Sequence, residues 1–147
     1  MKEIIKNIKR GNYFEAYNEL RSLFYDWNID NIMRDMKKLG SKDVYCFLMY
    51  AISRNETENL HKLACELLLI DPYFHFVYPL IYWHANKALI INENYIDMKV
   101  WIVNNFYNNP DSPFGEDKLC EYADNIVKSG VNSNISIEIL KKYDAYG

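Results

Sequence analysis

Apolar residues recur every three or four positions along almost the whole chain, and this spacing constrains the fold more than any other feature of the sequence. The alternation of apolar and polar residues that is typical of β-strands is nearly absent, and the 147 residues include only five glycines. Because a helix has about 3.6 residues per turn, such spacing places the apolar side chains on one helical face. The sequence therefore predicts an all-α fold of about nine helices, packed as one domain over residues 1–147.

Turn and capping signals divide the chain into these helical segments. The predicted helices cover about 2–10, 13–26, 29–39, 43–54, 56–70, 79–91, 95–108, 114–129 and 135–145. Gly11 is expected at the turn between the first two helices, with a positive φ angle. Asn55 and Glu58 form a predicted capping box before the fifth helix, and Ser112 is the predicted N-cap of the eighth. Pro79 is expected in the first turn of the sixth helix.

Several short stretches have the pattern of a known helical repeat. "GNYFEAYNEL" (11–20) resembles the helix junction of the tetratricopeptide repeat (TPR), in which a glycine is followed by Tyr and then Ala at packing positions. "LLLIDPYF" (67–74) and "KALIINENYID" (87–97) resemble the end of a repeat helix that enters the next repeat. These two stretches begin 20 residues apart, whereas the family repeats about every 34. The resemblance implies an irregular TPR-like stack of helical hairpins, an α–α superhelix.

Composition and charge exclude several classes of protein. Half of the residues are hydrophobic and a quarter are charged, which is typical of a globular chain. Residues 43–147, which contain most of the aromatic residues, are acidic, so direct nucleic-acid binding is not expected. The chain has no run of about 18 apolar residues, so no membrane-spanning helix is expected. The three cysteines are widely spaced, which indicates neither a disulfide framework nor a zinc site and favours a cytoplasmic location.

The stretch "DPYFHFVYPLIYWH" (71–84) is dense in aromatic residues and has two interpretations. In the first, it joins two helices, and Phe74, Phe76 and Trp83 are part of the core. In the second, exposed aromatic side chains anchor a partner protein, because aromatic residues supply a large contact area at a low entropy cost. The candidate anchors are Tyr73, Phe74, Phe76, Tyr78 and Tyr82. The stretch has no Lys or Arg, so contact with a membrane surface is not expected.

Acidic residues lie along one side of the predicted helix 114–129. Asp117, Glu121 and Asp124 have the spacing i, i+4 and i+7, and Asp111 and Glu116 are close in sequence. The opposite side carries the predicted apolar stripe of Leu119, Tyr122, Ala123, Ile126 and Val127. Only Lys118 and Lys128 are available to balance the acids. This pattern indicates either an ordinary solvated face or a surface that attracts a basic partner.

The histidines have a metal-binding and a structural interpretation. Glu58 and His61 have the ExxH spacing of di-iron helical bundles, but those sites need two such motifs. His84 lies on an apolar stripe, where a histidine that is hydrogen-bonded to a neighbour is the favoured interpretation over a metal ligand. Cys65 follows His61 by one helical turn, so a Cys–His nucleophile is a further, weaker alternative. The chain lacks a glycine-rich phosphate loop. We therefore expect no metal and no cofactor.

These patterns favour an interaction protein that has no catalytic activity and that binds another protein, of basic character. A short, acidic helical chain of this kind is similar in character to small bacterial immunity proteins, which neutralise a cognate toxin. The alternatives are a regulatory or adaptor subunit and a metal-dependent enzyme that uses Glu58, His61 and His84. No nucleic-acid or membrane partner is expected, and the sequence does not indicate the oligomeric state.

Overall fold

A computed structural model describes residues 2–23, 39, 41–70 and 77–146. These residues form helices and no strands, which confirms the all-α prediction. The described helices are α1 (Lys2–Lys9), α2 (Tyr13–Leu23), α3 (Ser41–Arg54), α4 (Glu58–Ile70), α5 (Val77–Ile91), α6 (Ile96–Phe106), α7 (Glu116–Lys128) and α8 (Asn134–Tyr146). The described part of the chain therefore has eight helices rather than the nine predicted, and the predicted helix 29–39 lies outside it, apart from Leu39.

The contacts divide the chain into two compact units, which we call unit 1 (Met1–His84) and unit 2 (Ala85–Gly147). In unit 1, α1 packs on α2, α3 packs on α4, and α1 and α2 both contact α3. In unit 2, α7 packs on α6 and α8, and α6 also contacts α8. Consecutive helices thus pair as hairpins within each unit. The single-domain organisation stays a prediction. None of the described helices is both long and apolar enough to cross a membrane.

The core of unit 1 consists of the apolar faces that the helical spacing predicts. Its largest completely buried side chain is Phe47 on α3, whose ring lies 5.9 Å from that of Tyr13. The other core residues of α1 to α4 are Ile4, Ile8, Ala16, Tyr17, Leu20, Val44, Leu48, Ala51, Ile52, Leu60, Leu63, Ala64 and Leu67. This core places the neighbouring polar side chains of α3 and α4 in a water-poor environment.

The turn between α1 and α2 depends on Gly11. Its φ angle is +74°, as the sequence predicts, and its amide donates to the Ile8 carbonyl at 3.0 Å. The next amide, of Asn12, donates to the Asn7 carbonyl at 2.8 Å. These two bonds satisfy carbonyls at the end of α1, and the left-handed conformation that they require is one that glycine adopts without strain.

Gly11→Ala is expected to lower the free energy of unfolding by about 1 kcal/mol or more, because alanine resists a positive φ. The space around Gly11 is open, so strain in the backbone is the cause rather than a clash. Gly115 is the matched control, since it is also uncrowded but has an extended backbone with φ −69°. Thermal melting of both variants tests this, and an unchanged melting temperature for Gly11→Ala would contradict it.

Two predicted helix signals need correction. α4 begins at Glu58, and the hydroxyl of Thr57 accepts from the Leu60 amide at 3.2 Å, so Thr57 and not Asn55 is the N-cap. α7 begins after Gly115, and Ser112 is not its N-cap, because the Ser112 hydroxyl bonds to the backbone of Phe114, before the helix. Both errors have one cause: several residues with capping side chains stand close together, and the tertiary contacts select among them. Pro79 lies in the first turn of α5, as predicted.

Unit 2 contains three whole helices, α6 to α8, and each of them has buried apolar residues. The predicted stripe of α7 is buried at Leu119, Tyr122, Ala123 and Ile126, whereas Val127 is 39% exposed and the prediction for it is wrong. Phe106, at the end of α6, is 1% exposed, and its ring contacts those of Trp101 and Phe114. This aromatic group lies beside the loop that leads into α7.

Candidate functional site

Four polar side chains of unit 1 form a continuous hydrogen-bonded chain, which we call the histidine relay: Glu56, His61, His84 and Tyr45. Glu56 Oε1 lies 2.9 Å from His61 Nε2, and His61 Nδ1 lies 2.8 Å from His84 Nδ1. His84 Nε2 then lies 3.0 Å from the Tyr45 hydroxyl. Both histidine side chains are completely buried. Three helices and the turn before α4 supply these groups.

The contacts determine which atoms carry the protons when both histidines are neutral. An ionised Glu56 only accepts, so His61 Nε2 donates to it and leaves His61 Nδ1 as an acceptor. His84 Nδ1 then donates to His61 Nδ1, and His84 Nε2 accepts from the Tyr45 hydroxyl. We assign the tautomers on this basis. Every ring nitrogen has a partner, as buried polar groups require.

Burial and charge keep the inner part of the relay neutral. Burial lowers the pKa of His84 to about 4, and the neighbouring charge of His61 contributes. Burial also raises the pKa of Tyr45, with a further contribution from Cys65 and Cys46, so its hydroxyl carries a proton at neutral pH. The indole ring of Trp83 packs edge-on against both imidazoles, at 5.6 Å from His61 and 4.8 Å from His84.

The structural interpretation of the two histidines fits this geometry better than the metal-binding one. The carboxylate bonded to His61 belongs to Glu56 and not to Glu58, which opens α4. Among residues 2–23, 39, 41–70 and 77–146, no group of three or more His, Cys, Asp or Glu side chains could hold a metal ion. The Cys65 thiol donates to the Ile81 carbonyl at 3.5 Å, and burial raises its pKa. Since both nitrogens of His61 have other partners, the Cys–His nucleophile is not formed.

The aromatic stretch 71–84 is only partly described. Tyr73, Phe74 and Phe76 lie outside the described residues. Tyr78 is half-buried and Tyr82 is 45% exposed. Trp83 is 44% exposed, so the expectation that it belongs to the core is wrong. Its ring covers the histidine relay instead of filling the apolar interior.

The acidic face of α7 is exposed but has local partners. Glu121 pairs with Lys118 at 2.9 Å, and Asp124 pairs with Lys128 at 2.6 Å. Asp117 accepts a hydrogen bond of 3.2 Å from the Tyr143 hydroxyl. The hypothesis that this surface attracts a basic partner assumed acids without counter-ions in the chain. Glu121 and Asp124 each have such a counter-ion, so the assumption is wrong for these two residues. Asp111 is exposed in the loop before α7.

Sequence reasoning missed a pocket in unit 2 beside this acidic face, which we call the α7 pocket. Its volume is about 250 Å³. It is lined by Phe106, Tyr107, Asn108, Asn109, Pro110, Ser112, Phe114, Glu116, Leu119, Ile139, Lys142 and Tyr143. Two of the lining residues constrain the backbone of the loop, since Asn108 has a φ angle of +59° and Pro110 is a proline. The proline-rich loop "NPDSPFGED" was the available signal, but its spacing predicts a turn and not a cavity.

The acids and the α7 pocket belong to one surface. Glu116 and Tyr143 both line the pocket, and the Tyr143 hydroxyl bonds to the next acid, Asp117. Comparison with known proteins does not extend this description: no family model, no curated protein and no solved structure matches the chain.

Proposed function

We propose that this chain is a non-catalytic module that binds another protein through the α7 pocket and the acidic residues next to it. The observation that supports this most is the position of an apolar pocket directly beside exposed carboxylates. Aromatic and aliphatic walls accept an apolar side chain, and the carboxylates favour a partner of opposite charge.

The charge around the pocket favours a basic partner. Residues 111–128 contain five carboxylates and two lysines, so the segment is negative even with both lysines paired. The two ion pairs are exposed and weak, so a partner's lysine or arginine can compete for the same carboxylates. Asp117 bonds to the Tyr143 hydroxyl and not to a cationic side chain. Lys142 lines the pocket as well and supplies one positive group there.

The size of the pocket favours a side chain over a separate small molecule. Sites for drug-sized ligands have volumes of about 300–1,000 Å³, whereas the α7 pocket has about 250 Å³. A cavity of this size suits one large apolar side chain. The partner segment therefore has a large aliphatic or aromatic residue with lysine or arginine next to it.

The TPR-like arrangement that the sequence predicts belongs to the same proposal. Its support is that consecutive helices pair as hairpins, since such hairpins form extended binding surfaces when they stack. In unit 1, the 45% exposed Tyr82 is a further candidate contact.

Charge reversal tests the proposal by its effect on association rate. The partner is recovered by affinity capture and identified by mass spectrometry, and its binding is measured by surface plasmon resonance at two salt concentrations. A triple charge reversal on α7 is expected to slow association about tenfold or more at low salt, and less at high salt. Its three substitutions are Asp117→Lys, Glu121→Lys and Asp124→Lys. Reversal of Glu15, Glu93 and Asp97, which are exposed and lie outside 111–128, is the control of equal charge. Equal association rates for both triple variants would contradict the proposal.

Removal of a pocket wall tests the apolar contact separately. Tyr143→Ala is expected to speed dissociation, by about tenfold for each 1.4 kcal/mol of binding energy lost, with a smaller change in association. Dissociation at the parent rate would mean that the pocket does not hold the partner.

A further inference from the structure

The histidine relay has a property that the proposed binding function does not use. Between the two imidazoles, His61 Nδ1 and His84 Nδ1 face each other at 2.8 Å, with both rings completely buried. A gap of this length holds one hydrogen atom, donated by one nitrogen and accepted by the other. The geometry therefore limits how many protons the two rings can hold together.

We propose that the histidine relay is a single-proton switch: the pair of rings takes up one proton as the pH falls, and this reverses the hydrogen bond of the Tyr45 hydroxyl from donor to acceptor. The ligand of the site is thus a proton. The switch lies in unit 1 and does not depend on the binding function proposed for unit 2.

The proton positions in the two states follow from the contacts. In the neutral state the rings hold two protons, one on His61 Nε2 and one between the Nδ1 atoms. One additional proton can bind only to the ring nitrogen that still lacks a hydrogen, His84 Nε2. This nitrogen then donates to the Tyr45 oxygen. The hydroxyl proton of Tyr45 must then turn to another acceptor. A fourth ring proton would place two N–H groups against each other across the Nδ1 gap, so uptake stops at one.

The charged state has one carboxylate to stabilise it. Glu56 lies 2.9 Å from His61 Nε2, and its side chain is 45% exposed, so the relay is in contact with solvent at this end. A charge-assisted bond of this kind is about twice as strong as a neutral one. Without Glu56, a buried imidazolium would be strongly disfavoured.

Other titratable groups lie near the pair on α3, α4 and α5. From α3 they are Tyr45 and Cys46, and from α4 they are Cys65 and, beyond it, the Lys62–Glu66 ion pair. Burial raises the pKa values of Tyr45 and Cys65, so neither is a competing anion. α4 also carries Glu58, one turn before His61, and α5 carries Lys87, three positions after His84. Glu56 is the carboxylate that is hydrogen-bonded to the pair, so we expect it to have the largest effect on the affinity for the proton.

The experiment is a pH titration of the full-length chain by NMR, with ¹⁵N-labelled histidine and ¹³C-labelled tyrosine rings. The chain has three histidines, which are assigned by single substitutions. The expected result is one shared titration, in which His61 and His84 together take up one proton before acid unfolding. The Tyr45 Cζ shift should move with the same midpoint. Two independent full titrations, or no uptake before unfolding, would overturn the proposal.

Glu56→Gln tests the role of the carboxylate, because the amide oxygen still accepts from His61 Nε2 but carries no charge. The midpoint of the shared titration is expected to fall by about one pH unit or more. Glu66→Gln is the control, since Glu66 pairs with Lys62 on the same helix as His61. Equal midpoints in Glu56→Gln and the parent chain would also overturn the proposal, because the charged pair would then have another counter-ion.

Discussion

Phe47→Ala and Phe106→Ala are each expected to lower the free energy of unfolding by about 3–5 kcal/mol, the usual effect of truncating a buried phenylalanine. Phe47 is completely buried on α3 of unit 1, and Phe106 is 1% exposed at the end of α6 in unit 2. Each side chain leaves a cavity in a close-packed core, so both the transfer energy and the lost contacts add to the effect. Phe14→Ala is the control, because Phe14 is 57% exposed and its loss should cost within about 0.5 kcal/mol.

The same two variants test the single-domain prediction. Urea unfolding is followed by circular dichroism and by tryptophan fluorescence, in variants that keep only one of the three tryptophans. Trp83 then reports on unit 1 and Trp101 on unit 2. If residues 1–147 unfold as one domain, each variant lowers one common transition that all probes share. If Phe47→Ala shifts only the signal of Trp83, and Phe106→Ala only that of Trp101, the chain has two domains and the prediction is wrong. A loss below about 1 kcal/mol for either variant would contradict its position in the core.

The helices could be predicted from the sequence because their signals are local. The spacing of Leu60, Leu63, Ala64, Leu67 and Leu68 predicts one buried face, and that face is buried in α4. Gly11 also follows from a local rule, since only a few residues tolerate the backbone conformation at that turn. The exact start of α4 could not be predicted from the sequence. Asn55 and Thr57 are both capping residues, and only the contacts in the folded chain decide which of them is the N-cap.

The histidine relay could not be predicted because its members are distant in sequence. His61 and His84 are separated by 23 residues, and Tyr45 and His84 by 39. A pattern search within one helix pairs His61 with Glu58, whereas the bonded carboxylate is Glu56, in the turn before the helix. Which of two nearby acids reaches a buried ring depends on how α3, α4 and α5 pack. The α7 pocket is a similar case, because its walls come from α6, α7, α8 and one loop.

Acid is expected to remove much of the stability that the relay provides. The folded-state pKa of His84 is about 4, below its ordinary value of 6.5, because burial disfavours the charged ring. A group with a lowered folded pKa stabilises the fold fully above the unfolded pKa, and this contribution is lost as the pH falls toward the folded pKa. Between pH 6.5 and 4, the free energy of unfolding should therefore fall by about 3 kcal/mol from this residue.

The slope of that loss reports the proton on His84. The unfolded chain takes up this proton near pH 6.5, whereas the folded chain takes it up only near pH 4. This difference of one proton predicts a slope of about 1.4 kcal/mol per pH unit between these two pH values. Urea unfolding at a series of pH values measures it, in a His75→Gln background that removes the third histidine. His84→Gln, which cannot titrate at that position, is expected to be less stable but to lose most of this slope. An equal slope in His84→Gln and in its parent would mean that the folded chain does not resist protonation of His84, which would contradict the effect of its complete burial.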